Sequence, residues 1–175
     1  MHIVITGPSG SGKSTIIHQI SSNLNIPFSV SYTTRNKRSK EVDGVDYHFI
    51  SVNEFKELIC KNKLEEFTMF NNNYYGTPKL EDRIMIFDVE YEGVKYFNNI
   101  KDKCLFIYID IDKEIMKERL LKRGSDLVDI NKRIKKYEIF EKMKNEIKFD
   151  LILDNSGDIK NSVENFEIFL KNKLV

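Results

Sequence analysis

Tryptophan is absent from this 175-residue chain, and cysteine (two), proline (three) and histidine (three) are scarce. Two thiols, Cys60 and Cys104, cannot make the multi-bridge framework of a small secreted protein, so a reducing, intracellular setting is expected. His2, His18 and His48 are scattered and show no zinc-ligand spacing. No apolar run approaches the roughly 20 residues that a membrane helix needs, so no membrane partner is expected. The opening MHIVITGPSG has neither a basic leader nor a long apolar stretch, which argues against a signal peptide and for a cytoplasmic location. An excess of either charge is also missing. Lys and Arg number 28 against 27 Asp and Glu, for a net charge of +1. That balance excludes the basic footprint of a nucleic-acid binder.

The chain does have enough length for one domain, or one domain with lobes, built around a core that needs no staples. Its apolar share is 41% and its charged share 31%, ordinary for a globular protein. Residues 2–6, 84–88, 104–110 and 151–154 are short apolar runs without alternation, as strands buried on both faces read. Residues 28–31 and 47–50 read as two more short strands, with a polar, loop-like stretch at 32–46 between them. Helical spacing follows at 14–24, 113–123 and 159–174, and the series Ile130, Ile134, Tyr137, Phe140, Met143, Ile147 marks one face of a longer helix. Ser51-Val52-Asn53-Glu54 is a capping box that starts a helix ending near Lys61. Residues 65–70 and 73–76 form a hairpin signal around Asn71-Asn72. Strands alternating with helices predict an α/β fold, a parallel sheet flanked by helices. The stretch 32–81 interrupts the alternation and is expected to be an inserted mixed α/β lobe. The core is then 1–31, 82–116 and 137–175, and the polar stretch 117–136 is expected to be a small mobile lid.

Gly7-Pro8-Ser9-Gly10-Ser11-Gly12-Lys13-Ser14 matches G-x-x-x-x-G-K-[ST] in full, after a strand and before a helix. Glycines let backbone N–H groups turn toward phosphate oxygens, and the following helix adds the positive end of its dipole. Lys13 supplies a mobile cation for the outer phosphates, and the Ser14 hydroxyl is a ligand for Mg²⁺. The pattern implies a nucleoside triphosphate. A switch GTPase is not expected: Asn-Lys pairs occur at 36–37, 62–63, 131–132 and 172–173, but none has Asp two places on.

Arginine is the other rarity: six residues against 22 lysines. Five of the six fall into two groups, Arg35 with Arg38 and Arg119 with Arg123 and Arg133. A guanidinium is a rigid fork that grips phosphate bidentately, which an ammonium cannot copy. A solvated charged face is the plainer explanation for any one of them. Two groups beside a phosphate loop, however, suit the transfer of a phosphoryl group between two nucleotides.

At this point the chain resembles the guanylate kinases, of the nucleoside monophosphate kinase group in the P-loop NTPase superfamily. The resemblance covers nearly the whole length. It is carried by GPSGSGKST at 7–15, SYTTRNKRSKEVDGVDYHFIS at 31–51, EEFTMFNNNYYGTP at 65–78, FDVEYEGVK at 87–95, RLLKRG at 119–124 and NKR at 131–133. It implies ATP with Mg²⁺ at residues 7–15 (Thr15 included), GMP in the inserted lobe, no nucleic acid or membrane partner, and a monomer. By position, Arg35, Arg38, Tyr47 and Tyr75 would hold the GMP phosphate, with Glu41 steadying the arginines. Ser31, Glu66 and Thr77 would read guanine, with Asp88 and Glu90 on the core side. Lys13, Arg35, Arg119, Arg123 and Arg133 would neutralise the transferring phosphoryl. The chemistry of Glu66 agrees: guanine presents two N–H donors on one edge, and a carboxylate accepts both.

Some features depart from the family's usual pattern. Asp88-Val89-Glu90 stands where Asp-x-Asp is usual, so its second carboxylate reaches about one methylene further. The segment 76–88 is short by roughly two helical turns. Phe67 stands where a core tryptophan is usual, and Asp154-Asn155 reorders a usual Asn-Asp. The alternatives are a guanylate-kinase-like interaction module without catalysis, and a related kinase whose acceptor is dGMP or a ribosyl phosphate.

Overall fold

The computed structural model describes residues 1–39, 41–70 and 72–174. In chain order the elements are β1 (His2–Thr6), α1 (Lys13–Leu24), β2 (Tyr32–Thr33), β3 (His48–Phe49), α2 (Val52–Cys60), β4 (Leu64–Phe70), β5 (Asn73–Pro78) and β6 (Ile86–Asp88). There follow α3 (Tyr91–Asn98), β7 (Cys104–Asp110), α4 (Lys113–Lys122), α5 (Leu127–Glu146), β8 (Leu151–Asp154) and α6 (Ile159–Lys173). The main sheet is parallel, in the order β6-β1-β7-β8. Side chains alternate between two apolar layers along each strand. Ile3, Ile5, Leu105, Ile107 and Ile109 face α1 and α6, where Ile16, Ile17, Ile20, Phe166 and Leu170 close the layer. Val4, Phe106 and Tyr108 face the other way, onto Val94 and Phe97 of α3 and Phe140 and Met143 of α5. Both faces are covered, which is why the strands read as unbroken apolar runs. Each such fully buried aliphatic or aromatic side chain contributes roughly 1.5–3 kcal/mol.

A second sheet, ordered β3-β2-β5-β4, lies in the stretch that breaks the alternation. It is mixed: β2 runs parallel to β3, and β5 runs antiparallel to both β2 and β4. The β4–β5 hairpin forms where the sequence places it, with Asn72 in the left-handed region at φ 59°. Asn71, the other proposed turn residue, lies outside the described residues. Helix α2 packs on this sheet through Phe55, which is buried and stacks on Tyr74 at 5.1 Å.

Two expectations are corrected. Residues 28–31 are not a strand. Phe28 makes a single parallel bridge to Ile86, and Ser29 N donates to Ile86 O at 2.8 Å. Pro27 has no amide to extend the ladder, and the chain leaves the core there for β2. The stretch 32–46 is likewise not all loop, since Tyr32 and Thr33 pair with Gly76 and Tyr75. A helix the sequence reading leaves out, α3, lies between β6 and β7. Its segment YEGVKYFN is poor in strong helix formers, and packing fixes it: Val94 and Phe97 are fully buried, and a Cβ on Gly93 would come 2.8 Å from Val89 Cβ.

The end of α4 is a Schellman turn. Gly124 at φ 80° sends its N–H to Leu121 O, and Ser125 N–H goes back to Leu120 O. Only 123–126 separate α4 from α5, so the stretch 117–136 is two helix ends and a short link. The Ser51 capping box is complete, with Ser51 Oγ accepting from Glu54 N and Glu54 accepting from Ser51 N at 2.7 Å. Removing it tests how far α2 depends on its cap. Ser51→Ala should lower stability by about 1 kcal/mol in a denaturant titration, with an unchanged slope.

Candidate active site

Parallel α/β sheets open their ligand crevices at the carboxyl ends of the strands. Here β1 ends in the glycine loop, β6 ends at Asp88 and β8 ends beside Asn155. The loop is pressed onto the sheet. A Cβ on Gly7 would fall 2.2 Å from Ile109 O, and one on Gly12 would fall 2.4 Å from Asn155 Nδ2. Gly12 caps α1 at φ 90°, so both space and backbone require glycine there. Asn155, fully buried, donates to Ser11 O at 2.6 Å and so ties β8 to the loop. Asp154, before it, is exposed and accepts from Ser156 N and Ser156 Oγ.

Lys13 Nζ donates to Gly7 O at 2.7 Å and Pro8 O at 3.4 Å. Pro8 and Ser11 are buried, whereas Ser14 and Thr15 are exposed on the first turn of α1. Arg133 reaches this loop from α5, with Nη1 donating to Ser9 Oγ at 2.7 Å while Nε donates to Asp129. Arg119 approaches from α4. A Cβ on Gly12 would lie 3.9 Å from its Nη1, and its Nη2 donates to Gly157 O at 3.4 Å. Arg123 is the C-cap of α4 and points no described contact at the loop. Two of the three expected lid arginines are therefore gathered at the triphosphate loop.

A cleft between the lobe sheet and the core brings together Ser31, Tyr47, Glu66, Tyr75, Thr77, Asp88 and Glu90, all expected from the sequence. Thr68 and Gly76 also line it and were missed. The signal for Thr68 was available, because it lies two residues from Glu66 on one strand face. Thr77 Oγ1 donates to Glu66 Oε1. Phe67, between them, is 49% exposed and packs edge-on against Phe55, so it is not the core residue the resemblance suggested.

Arg35, Arg38 and Glu41 do not line the cleft themselves; Arg35 adjoins it through Tyr47, and the other two join Arg35. Arg35 grips Glu41 with both Nη atoms, at 2.9 and 2.8 Å, and donates to Asn36 O at 2.7 Å. Of the five N–H donors of a guanidinium, three are used this way among the described residues. Its Cζ lies 5.6 Å from the Tyr47 ring and 5.5 Å from the Phe49 ring, and the two rings meet edge-on at 5.8 Å, so the guanidinium rests against an aromatic pair. Arg38 is the freer of the pair, 61% exposed, with Nη1 3.6 Å from Glu41. Burial opposes the Glu41 charge, but the Arg35 fork, the Arg38 amide and the two guanidinium charges outweigh it and hold the carboxyl below its usual range. The Tyr47 hydroxyl is raised, chiefly by burial and then by Asp88 and Glu90, and stays a donor at neutral pH.

The cleft itself is acidic. Burial pushes Asp88 up to about 6, against the pull of Lys13 and with a further push from Glu90. Burial also raises Glu66; the Thr77 hydrogen bond draws it back, and Glu65 raises it again. Glu90 is more exposed and pairs with Lys136 of α5 at 3.5 Å. Among the described residues no cluster of three or more metal-ligating side chains exists. Ser14, exposed at the helix start, is a hard oxygen donor of the kind Mg²⁺ takes alongside substrate phosphates. The fit is to a cation that arrives with its nucleotide.

The Asp88 shift gives a pH test. A carboxyl raised in the folded state costs nothing below its unfolded value of about 4, and its ionisation costs progressively more stability as pH climbs through about 6. Asp88→Asn should therefore raise the melting temperature at pH 7 and leave it nearly unchanged at pH 4. Equal shifts at both pH values would mean that Asp88 is not strained by its burial.

A family model described as guanylate kinase matches residues 1–173. The guanylate kinase of Wigglesworthia glossinidia brevipalpis is 37% identical over an alignment covering 99% of this chain and 89% of its own. That of Malacoplasma penetrans is 38% identical, with coverage of 99% and 93%. Among solved structures, a guanylate kinase from Anaplasma phagocytophilum superposes with a TM-score of 0.78 at 23% identity, covering 99% of this chain and 85% of its own. A shikimate kinase from Aquifex aeolicus superposes with a TM-score of 0.53 at 20% identity, which is a likeness of fold alone. With a glycine loop at the end of β1, a cleft lined by carboxylates beside it and a family match over almost every residue, the chain belongs to the guanylate kinase family.

Proposed function

We propose that the protein transfers the γ-phosphate of ATP to GMP, giving ADP and GDP. The observation that carries this reading is the cleft itself. It places Glu66 and Thr77 opposite Asp88, whose carboxyl feels the charge of Lys13 in the triphosphate loop. An acceptor held there has its phosphate near the donor's.

In this reading Glu66 accepts from the two N–H groups on the guanine edge, with Ser31 and Thr77 beside it. Asp88 and Glu90 face them from the core. Arg35 and Arg38 take the GMP phosphate, helped by the hydroxyls of Tyr47 and Tyr75. Glu41 pre-sets the Arg35 fork, so little side-chain entropy is lost on binding. Residues 7–15 cradle the ATP phosphates. Lys13, Arg119 and Arg133 surround the γ-phosphoryl, and Arg123 joins them when the 117–136 segment closes as a lid over the core, with 32–81 as the acceptor lobe. Mg²⁺, held through Ser14 and the nucleotide, would add positive charge at the outer phosphates. No side chain need become covalently bound. A GMP phosphate oxygen attacks in line, and positioning and charge neutralisation lower the barrier. Closure keeps water from competing. We further infer a monomer in the cytoplasm, in keeping with the free thiols of Cys60 and Cys104.

A coupled assay on the purified protein should show ADP formation that depends on GMP. ADP formed equally without GMP, or none with it, would reject the reading. A panel of dGMP, AMP and ribosyl phosphates should rank GMP or dGMP first. An idle interaction module would instead bind at most one of ATP and GMP by calorimetry. Arg35→Lys keeps the charge but loses the fork. Its kcat/KM for GMP should fall about tenfold or more, on the order of 1.4 kcal/mol. Kinetics near those of the parent would show that the fork is not used.

A further inference from the structure

The proposed base-reading residue Glu66 has an acidic neighbour, Glu65, that the function has not absorbed. The pairing of β4 with β5 slips here. Leu64 lies opposite Pro78 and Glu66 opposite Thr77, so Glu65 has no partner across the ladder. Its carboxylate is 15% exposed and is fully engaged on the core side of the lobe. Tyr96 Oη of α3 donates to Oε1. On Oε2, Leu80 N–H donates at 3.4 Å and Lys79 Nζ lies at 3.6 Å, both in the segment that leads from the lobe back to β6. Tyr96 is itself held: its ring meets Phe97 edge-on at 5.6 Å, and Phe97 is fully buried against Phe87. One side chain thus pins a bulge in the lobe, the return segment and a core helix to one another.

We propose that Glu65 is a positioning residue for acceptor specificity: anchored by Tyr96, it fixes the slipped register that aims the Glu66 carboxylate into the cleft. The proposal rests on the assignment of the acceptor's base edge to Glu66. A slip of one residue in β4 would carry Glu66 to the other face of the sheet. The core anchor prevents this because Tyr96 belongs to α3 and cannot follow the strand. The electrostatics agree with the geometry. Burial and the Glu65 carboxylate push the Tyr96 hydroxyl up to about 12, so it remains a donor throughout the physiological range. Burial opposes the Glu65 charge, but Tyr96, Leu80 and Lys79 together hold its carboxyl below the usual value.

Tyr96→Phe removes one hydroxyl and keeps the ring, and is the variant to test. The KM for GMP should rise roughly three- to tenfold, as loss of one hydrogen bond to a charged group allows. The KM for ATP, and kcat at saturating GMP, should stay within about twofold. Glu65→Gln should show the same split. A merely structural bond would lower the melting temperature and leave the two KM values equal in their response, and that result overturns the proposal. Glu66→Gln serves as the control for the reading beneath it. If that variant leaves the KM for GMP unchanged, the base assignment fails and this proposal with it. If it raises the KM while Tyr96→Phe does not, only this proposal fails. In the double variant Tyr96→Phe/Glu66→Gln the effects should be far from additive, because the first acts through the second. Additive effects would show that Tyr96 acts on the lobe by another route.

Discussion

The loop from Gly7 to Gly12 has to lie flat on the end of the sheet with its amides turned outward, and most of the structure serves that requirement. At Gly7 no side chain fits, because Ile109 O occupies the space within 2.2 Å. That oxygen is where it is because β7 runs beside β1 in parallel, with Ile5 opposite Ile107 and Thr6 opposite Tyr108. The far end of the loop is held by Asn155, which directly follows the next strand out. Three neighbouring strands therefore fix a segment whose own glycines would leave it loose. Its stiffness comes from the apolar layers on both faces of the sheet, which make any sliding of the strands costly.

The proposed acceptor cleft meets a different demand, since it has to orient a ligand that is anionic at one end and rich in N–H donors at the other. The cleft is polarised to match. Arg35, with Arg38 behind Glu41, adjoins the cleft at Tyr47, while Glu66, Asp88 and Glu90 line it. Burying carboxylates here has a cost, which is visible in the raised values of Glu66 and Asp88. A ligand that donates hydrogen bonds to them relieves that cost; a ligand that presents acceptors does not. Discrimination of this kind leaves the wrong ligand facing unpaired buried oxygens, and it is stronger than fit alone.

What could be read from the sequence follows from range. Short-range patterns carried the glycine loop, the Ser51 capping box and the continuous strands. The cleft residues came instead from the family resemblance, position by position; residue type by itself marked only the arginines in a lysine-rich chain. Helix α3 escaped because packing of Val94 and Phe97, not propensity, makes it a helix. The 28–31 strand was over-read because Phe28 and Val30 have strand-like character, while Pro27 and the exit to β2 limit the pairing to one bridge. The tie from Asn155 to Ser11 spans 144 residues and has no local signal at all.

Helix α5 joins the two halves of this arrangement. Arg133 and Lys136 lie three residues apart, so they project from one face. Arg133 donates to Ser9 in the triphosphate loop, and Lys136 pairs with Glu90 at the edge of the cleft. The longer reach of glutamate at position 90 matters here. It lets a residue at the end of the core strand touch a helix that also touches the loop. The helix is anchored below by Phe140 and Met143, both buried, so it cannot tilt toward one site without moving relative to the other. Lys13, meanwhile, spends its donors on Gly7 O and Pro8 O, contacts that a phosphate would have to replace. An anion entering the loop would thus exchange side-chain contacts on a backbone already in place, beside a face of α5 that bears on both the loop and the cleft.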